Sequence, residues 1–311
     1  MKLAAFLIFL AIFATNGMPR HPPQTARRPK NDEMHFWLRN MKLYHHFTDQ
    51  EIVSATGIPD SELKELLEMH AQPWDWGPAA AESKRLFVLP YPGGRHPRIG
   101  FLDGAVDPQR ETKFSVFCPW DFKSYVLVDV PEAIFSNLGL TYLAHTHVPT
   151  IWTKQGITLP PFEWNRRKDG SLDIKRKLPN GIEFGTKVRP GTNVVDMELW
   201  LRNGTKELLK DLRVQNCVLF KGVKGFNQQT NDNKLLRKPF AACRNEARDK
   251  WIITAWSHCD RVWANPPCPC MHSDPKFPDC PPGKRVIVRG KLWFFEGKDI
   301  DNQLERLAVP E

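Results

Sequence analysis

Residues 257–297 read SHCDRVWANPPCPCMHSDPKFPDCPPGKRVIVRGKLWFFEG. Four of the seven cysteines, Cys259, Cys268, Cys270 and Cys280, lie here among a cluster of prolines. Proline removes a backbone donor and clashes with the preceding helical turn, so this stretch is not helix. From Lys284 to Phe295 the pattern changes: Val286 and Val288 recur at alternate positions, and Leu292-Trp293-Phe294-Phe295 follow as an apolar run. That is the pattern of a strand. The reading is a stiff, cross-linked or metal-clasped loop that feeds a late β-strand.

Upstream the same period-2 signal recurs. Candidate strands are Leu86–Leu89, Phe114–Phe117, Tyr125–Val130, Leu140–His147, Ser171–Lys177, Ile182–Val188, Val194–Leu201, Lys210–Leu219 and Trp251–Trp256. Turn residues punctuate them at Asp169-Gly170, Pro179-Asn180-Gly181, Arg189-Pro190-Gly191 and Asn203-Gly204. About ten strands at this spacing predict a mainly β chain, a large antiparallel two-sheet sandwich over 84–311.

The period is helical before that, over 34–72. Thr48-Asp49-Gln50-Glu51 has the form of a capping box, Gly57 and Pro59 stop the first helix, and Asp60 or Ser61 caps the next. A small helical hairpin is expected, packed on the main domain. Two short helices about a Gly turn also suit DNA binding, but the acidic second helix argues against a nucleic-acid partner. Residues 18–33 are Pro-rich and basic and read as a flexible linker. Met1-Lys2 and the apolar run Leu3–Ala14 have the anatomy of a cleaved signal peptide over 1–17, which implies a secreted or periplasmic protein. No run of about 18 apolar residues follows, so no transmembrane segment is expected.

An exporting compartment permits disulfides. Candidate partners are Cys243, Cys259, Cys268, Cys270 and Cys280, with connectivity open. Cys118 and Cys217 sit in strand-like runs and read as inert core thiols. The formal net charge of +9 favours an anionic partner such as an acidic polysaccharide.

Two segments carry a family resemblance. Gly94-Arg95-His96-Pro97-Arg98-Ile99 is similar to the early G-R-x-x-R-I motif of galactose mutarotases (aldose 1-epimerases), and Cys270-Met271-His272 with Pro278-Asp279 and Pro282-Gly283 resembles that family's C-L-E…P-D…P-G segment. Val194–Leu219 is similar to its central pair of long strands. The chain as a whole also resembles a group of secreted bacterial proteins. The resemblance implies a β-supersandwich with a carbohydrate cleft and Arg98 as a sugar-binding residue. The family's catalytic Glu falls at His272 here, and its catalytic His falls within Gln215-Asn216-Cys217. Since epimerisation needs one group to take a proton and another to give one, the resemblance implies a sugar cleft without that chemistry.

Several constellations suit such a cleft. Arg95, Arg98, Trp120, Asn227 and Asp232 are candidate substrate-binding residues, and His272 with Asp274 candidate catalytic groups. His145 and His147 form an H-x-H pair on one strand face, the seed of a divalent metal site that His272 or Asp274 could complete. Cys268-Pro269-Cys270-Met271-His272 offers soft ligands as well. Glu111, Asp129, Glu132, Glu163 and Glu296 are available carboxylates. No G-x-S-x-G, P-loop or H-E-x-x-H is present, which argues against serine hydrolase, NTPase and zincin chemistry. Three readings stand: glycan binding or processing, a non-catalytic envelope module, and a metal-dependent hydrolase.

Overall fold

The structure, a computed structural model, describes residues 26–69, 84–93, 95, 111–144 and 148–311. The expected signal peptide lies outside these residues, as do Arg98 and the H-x-H pair of His145 and His147.

Two antiparallel sheets face each other, as the alternation predicts. With strands numbered along the chain, the seven-stranded sheet contains β1 (Val88–Pro90), β2 (Lys113–Cys118), β3 (Asp121–Ser136), β4 (Gly139–Leu143), β9 (Val214–Leu219), β13 (Cys259–Asn265) and β14 (Cys270–Pro275). Its order is β1-β2-β3-β9-β14-β13, with β4 paired to β3. The eight-stranded sheet contains β5 (Asn165–Arg166), β6 (Leu172–Lys177), β7 (Glu183–Pro190), β8 (Val194–Arg202), β10 (Lys234–Arg237), β11 (Phe240–Arg244), β12 (Lys250–Trp256) and β15 (Arg285–Glu296). Its order is β10-β11-β12-β15-β8-β7-β6-β5. The tight joint between β6 and β7 uses Gly181, whose φ of 90° an L side chain rarely adopts.

Alternate residues of both sheets meet between them. Phe114, Val116, Val126 and Val128 of one sheet pack with Phe184, Val188, Leu199 and Leu292 of the other. Each such burial is worth about 1.5–3 kcal/mol.

The outer faces are treated differently. On the seven-stranded sheet the outward row of Phe117, Tyr125, Leu127, Cys217, Leu219 and Cys270 is itself buried, with Phe36 and Tyr44 packed on it. Those two aromatics come from a helical layer: α1 (Met34–Arg39), a π turn over Asn40–Tyr44, α2 (Asp49–Thr56) and α3 (Asp60–Met69). The layer has a small core of its own around Trp37, Leu38, Met41, Ile52 and Leu63. The capping box forms as the sequence predicts: Thr48 Oγ1 accepts from the Glu51 amide at 3.2 Å, and the Thr48 amide donates to Glu51 at 2.8 Å. Beneath the layer, His45 donates from Nδ1 to the Asn40 carbonyl at 3.0 Å, and its Nε2 meets the Ser115 hydroxyl at 2.7 Å.

On the eight-stranded sheet, α4 (Ile300–Arg306) covers the outer side of β11 and β12 through Ile300 and Leu304. The outer side of β6, β7, β8 and the first half of β15 stays wet. Among the described residues no helix is long and apolar enough to cross a membrane.

The stretch read as one stiff loop is largely a hairpin. β13 and β14 pair from Cys259↔Pro275 to Asn265↔Cys270, and Pro266, Pro267 and Pro269 are confined to the turn between them. The disulfide clasp expected there is not formed: all seven cysteines are thiols. The five candidates point to different places. Cys243 faces the core between the sheets, whereas Cys268 and Cys270 face outward. Cys259 donates toward the Arg261 carbonyl at 3.5 Å, and Cys280 toward the Lys284 carbonyl at 3.3 Å.

Candidate functional site

The richest cluster of reactive groups lies on the outer face of the seven-stranded sheet. Lys113 of β2 is in register with Asp129 of β3, and Asp129 with Cys217 of β9. The β9–β14 ladder, Met271↔Val218 and Cys270↔Leu219, continues to set His272 beside Cys217, and His272 pairs with Trp263 of β13. One rank thus crosses five strands. The two segments that the mutarotase resemblance singled out, Gln215-Asn216-Cys217 and Cys270-Met271-His272, are neighbours in it.

His272 is the hub. Its Nδ1 lies 2.7 Å from the Asn216 carbonyl, which can only accept, so Nδ1 carries the proton. Its Nε2 therefore points a lone pair, or in the charged ring a second N–H, between Cys270 Sγ at 3.4 Å and Cys217 Sγ at 3.6 Å. The indole of Trp263 covers the ring. Two carboxylates flank Nδ1, Asp274 at 3.9 Å and Glu132 at 4.0 Å. Burial opposes a charge on the ring, but Cys270, Glu132 and Asp274 outweigh it and raise its pKa to about 9. Burial pushes the Cys217 thiol up to about 12. Burial also raises Asp274, against the pull of His272, the Trp263 N–H, the Asn216 amide and Arg261.

Asp274 is fully engaged. It accepts from the Asn216 amide at 3.0 Å, from Trp263 Nε1 at 2.7 Å and from Arg261 Nε at 2.9 Å. His272 and Asp274 are 2% and 1% exposed, so neither faces solvent. Cys217, Cys270 and His272 put three ligand atoms within 4.8 Å of one another, a group that could hold a metal ion.

The other candidates do not join this cluster. Arg95 turns to the helical layer, with Nε and Nη2 each 2.8 Å from the Glu51 carboxylate and the guanidinium 4.2 Å above Phe47. Trp120 stacks on Phe226 at 6.0 Å and meets Phe294 edge-on, packed against the main core. Asn227 and Asp232 are exposed in the loop before β10, where the Asp232 amide donates to Thr230. Cys217, read as inert, is the residue that sequence reasoning missed. Its partners lie more than fifty residues downstream, and only strand register brings them to it.

A second feature is the wet half of the eight-stranded sheet. Its outward positions carry Lys175 and Lys177 on β6, Lys187 and Arg189 on β7, Arg202 on β8, and Arg285, Arg289 and Lys291 on β15. Four acids lie among them: Asp173 pairs with Arg167 at 2.5 Å, Asp196 pairs with Lys291 at 3.6 Å, and the other two are shared. Glu183 lies 3.1 Å from Lys175 and 3.8 Å from Arg202, and Glu198 lies 3.8 Å from Arg285 and 3.7 Å from Arg289. Trp200 sits in the middle, where Gly185 makes room: a Cβ there would meet the indole at 2.7 Å. The Arg285 guanidinium lies 4.2 Å over the Trp200 ring.

No family model matches the chain, and no curated protein matches it. Among solved structures it is similar to a kojibiose phosphorylase candidate from the human microbiome, at 6% identity over 44% of this chain and 20% of that one, with a TM-score of 0.32. It is also similar to the Slr1438 protein from Synechocystis, at 10% identity over 66% of this chain and 90% of that one, with a TM-score of 0.34. The chain therefore spans 20% of the length of the phosphorylase candidate.

Proposed function

We propose that this is an exported glycan-binding protein whose docking face is the wet half of the eight-stranded sheet and whose ligand is an anionic polysaccharide. The observation that carries the reading is the surplus of basic over acidic side chains on one flat face. Neighbouring strands lie about 4.8 Å apart and outward residues about 7 Å apart along a strand. Both spacings are shorter than the Debye length of about 8 Å at physiological salt. The cations therefore act on a bound polyanion as one field rather than as separate points. Trp200 carries the Arg285 guanidinium over its ring, and a guanidinium can make a bidentate contact with carboxylate or sulfate.

The reading is of binding without epimerisation. The positions where the mutarotase resemblance calls for a catalytic Glu and His carry His272 and the segment Gln215-Asn216-Cys217, and the imidazole of His272 is enclosed by Trp263, Cys217 and Cys270. That also accommodates an envelope interaction module.

The test is retention on immobilised uronic-acid or sulfated polysaccharide, compared with a neutral glucan and with DNA. The expected result is salt-sensitive binding to the acidic polysaccharide, weakened at least about tenfold by the double substitution Lys187→Glu, Arg189→Glu, as electrostatic steering at like-charged faces implies. Equal retention of that variant, or binding to DNA alone, would sink the proposal.

A further inference from the structure

A second site, on the opposite sheet, is independent of that docking face. We propose that Cys217, Cys270 and His272 bind a soft, thiolate-preferring metal ion of the zinc(II) or copper(I) class.

The distances suit such an ion. In a tetrahedral zinc site with bonds of about 2.3 Å to sulfur and about 2.0–2.1 Å to nitrogen, neighbouring S and N ligands lie roughly 3.5–3.6 Å apart. His272 Nε2 lies 3.4 Å from Cys270 Sγ and 3.6 Å from Cys217 Sγ. The two nitrogen–sulfur separations thus match edges of a coordination tetrahedron, and the two sulfurs lie within 4.8 Å of each other. Two adjacent strands of a packed sheet fix them, with His272 and Cys270 on the same outward row of β14.

The ring is prepared as metal-bound imidazoles are. Its second nitrogen donates to a backbone carbonyl, which selects the tautomer with Nε2 free to coordinate. Trp263 stacks on it in parallel and fixes its plane. Cys268, one proline away from Cys270 in the chain, belongs to the same buried outward cluster but not to the trio whose ligand atoms converge. Soft sulfur donors with one imidazole select zinc or copper(I) over magnesium or calcium.

His45 shows what a satisfied buried histidine looks like in this same protein. It is as deeply buried, but its Nε2 meets a hydroxyl at 2.7 Å. His272 Nε2 is offered two thiols, which are weak donors. A packing role explains the burial of the trio but not why one imidazole nitrogen and two sulfurs converge on one point. On binding, each coordinating thiol, and Nε2 of His272 where the ring is charged, gives its proton to solvent and the ion takes its place.

The experiment uses the full chain, purified with reduced thiols, exposed separately to zinc(II) and copper(I), freed of loose ion and analysed for metal. About one ion per chain is expected, retained against a weak chelator. Cys217→Ser and His272→Ala should each lower retention at least tenfold, whereas Cys118→Ser, a thiol of the core between the sheets, should leave it unchanged. Equal retention by the folded Cys217→Ser variant overturns the site. Cobalt(II) substitution of the unaltered chain is the second readout, since it does not depend on a variant folding. A thiolate charge-transfer band supports the assignment, and its absence from a cobalt-loaded chain overturns it. A Cys217–Cys270 disulfide in the protein isolated without reductant also overturns it. Which of the two ions is held more tightly separates zinc from copper.

Discussion

The indole of Trp263 lies flat on the imidazole of His272, with ring centroids 3.8 Å apart and planes 7° from parallel. The same indole donates to Asp274 at 2.7 Å, so one edge-strand side chain positions two groups of the neighbouring strand. Trp263→Phe keeps a ring over the imidazole and removes that donor. It should destabilise the protein by about 1–3 kcal/mol, the cost of a hydrogen bond withdrawn from a buried carboxylate. Urea unfolding of the variant against the parent checks this, and a change under about 0.5 kcal/mol contradicts it.

Acid should loosen the helical layer through His45. Burial dominates there and pulls its pKa from 6.5 down to about 3. Between those values the unfolded chain binds the proton and the folded chain does not, so stability rises with pH across the window. It is lost on acidification by up to about 1.4 kcal/mol per pH unit. Above the ordinary histidine pKa this contribution is flat. His45→Gln should show a shallower slope of unfolding free energy between about pH 4 and 6 than the parent. Parallel slopes would rule out His45 as the cause.

Lys113 and Asp129 form an ion pair at 2.7 Å, with side-chain exposures of 1% and 0%. Removing one member strands the other charge in the interior. Asp129→Ala should cost about 3–5 kcal/mol, whereas a paired apolar replacement of both residues should recover much of that loss. Thermal unfolding of the two single variants and the double variant provides the cycle. Additive losses would mean that the pair is not coupled.

Gly185 lies where β7 runs under Trp200. A Cβ at that position would fall 2.3 Å from the Ile174 carbonyl oxygen and 2.7 Å from the indole. Gly185→Ala should therefore destabilise by about 1–3 kcal/mol, as overpacking does, although alanine suits a strand better than glycine. Calorimetry reads the shift. The same variant should weaken polysaccharide retention by displacing Trp200 and, with it, Arg285.

Arg95 joins the helical layer to the sandwich through Glu51. Arg95→Ala should reduce stability by about 1.5–3 kcal/mol, the range for bonds to a charged partner. Far-ultraviolet circular dichroism during denaturation should show helix lost ahead of strand in that variant. A single concerted transition identical to the parent's would contradict it.

The long strands were legible because their two faces differ. β6 alternates buried Leu172 and Ile174 with charged Lys175 and Lys177, and β15 repeats the pattern. β14 offers no such contrast, since all six of its residues are buried. Its outward Cys270, His272 and Asp274 lie on a covered sheet face, so polarity and burial part company and a strand reads as a loop. The capping box was legible because both halves lie within one turn. Arg95 was read as a sugar ligand because its carboxylate partner lies more than forty residues upstream, on the helix that packs against it. Cys217 was read as inert for the same reason: nothing near it in the chain announces Cys270 or His272.

The covering of that face by Phe36 and Tyr44 gives the protein a clock. Cys217, Cys268 and Cys270 are each 3% exposed or less, so an alkylating reagent reaches them only when the helical layer lifts or the whole chain unfolds. Their labelling rate at low denaturant therefore reports how often the layer opens. The rate for Cys243, shut between the two sheets, reports global unfolding. Two families of thiols with separate half-lives would mean that the layer comes and goes on its own timescale. A single shared half-life would mean that lid and sandwich open as one body.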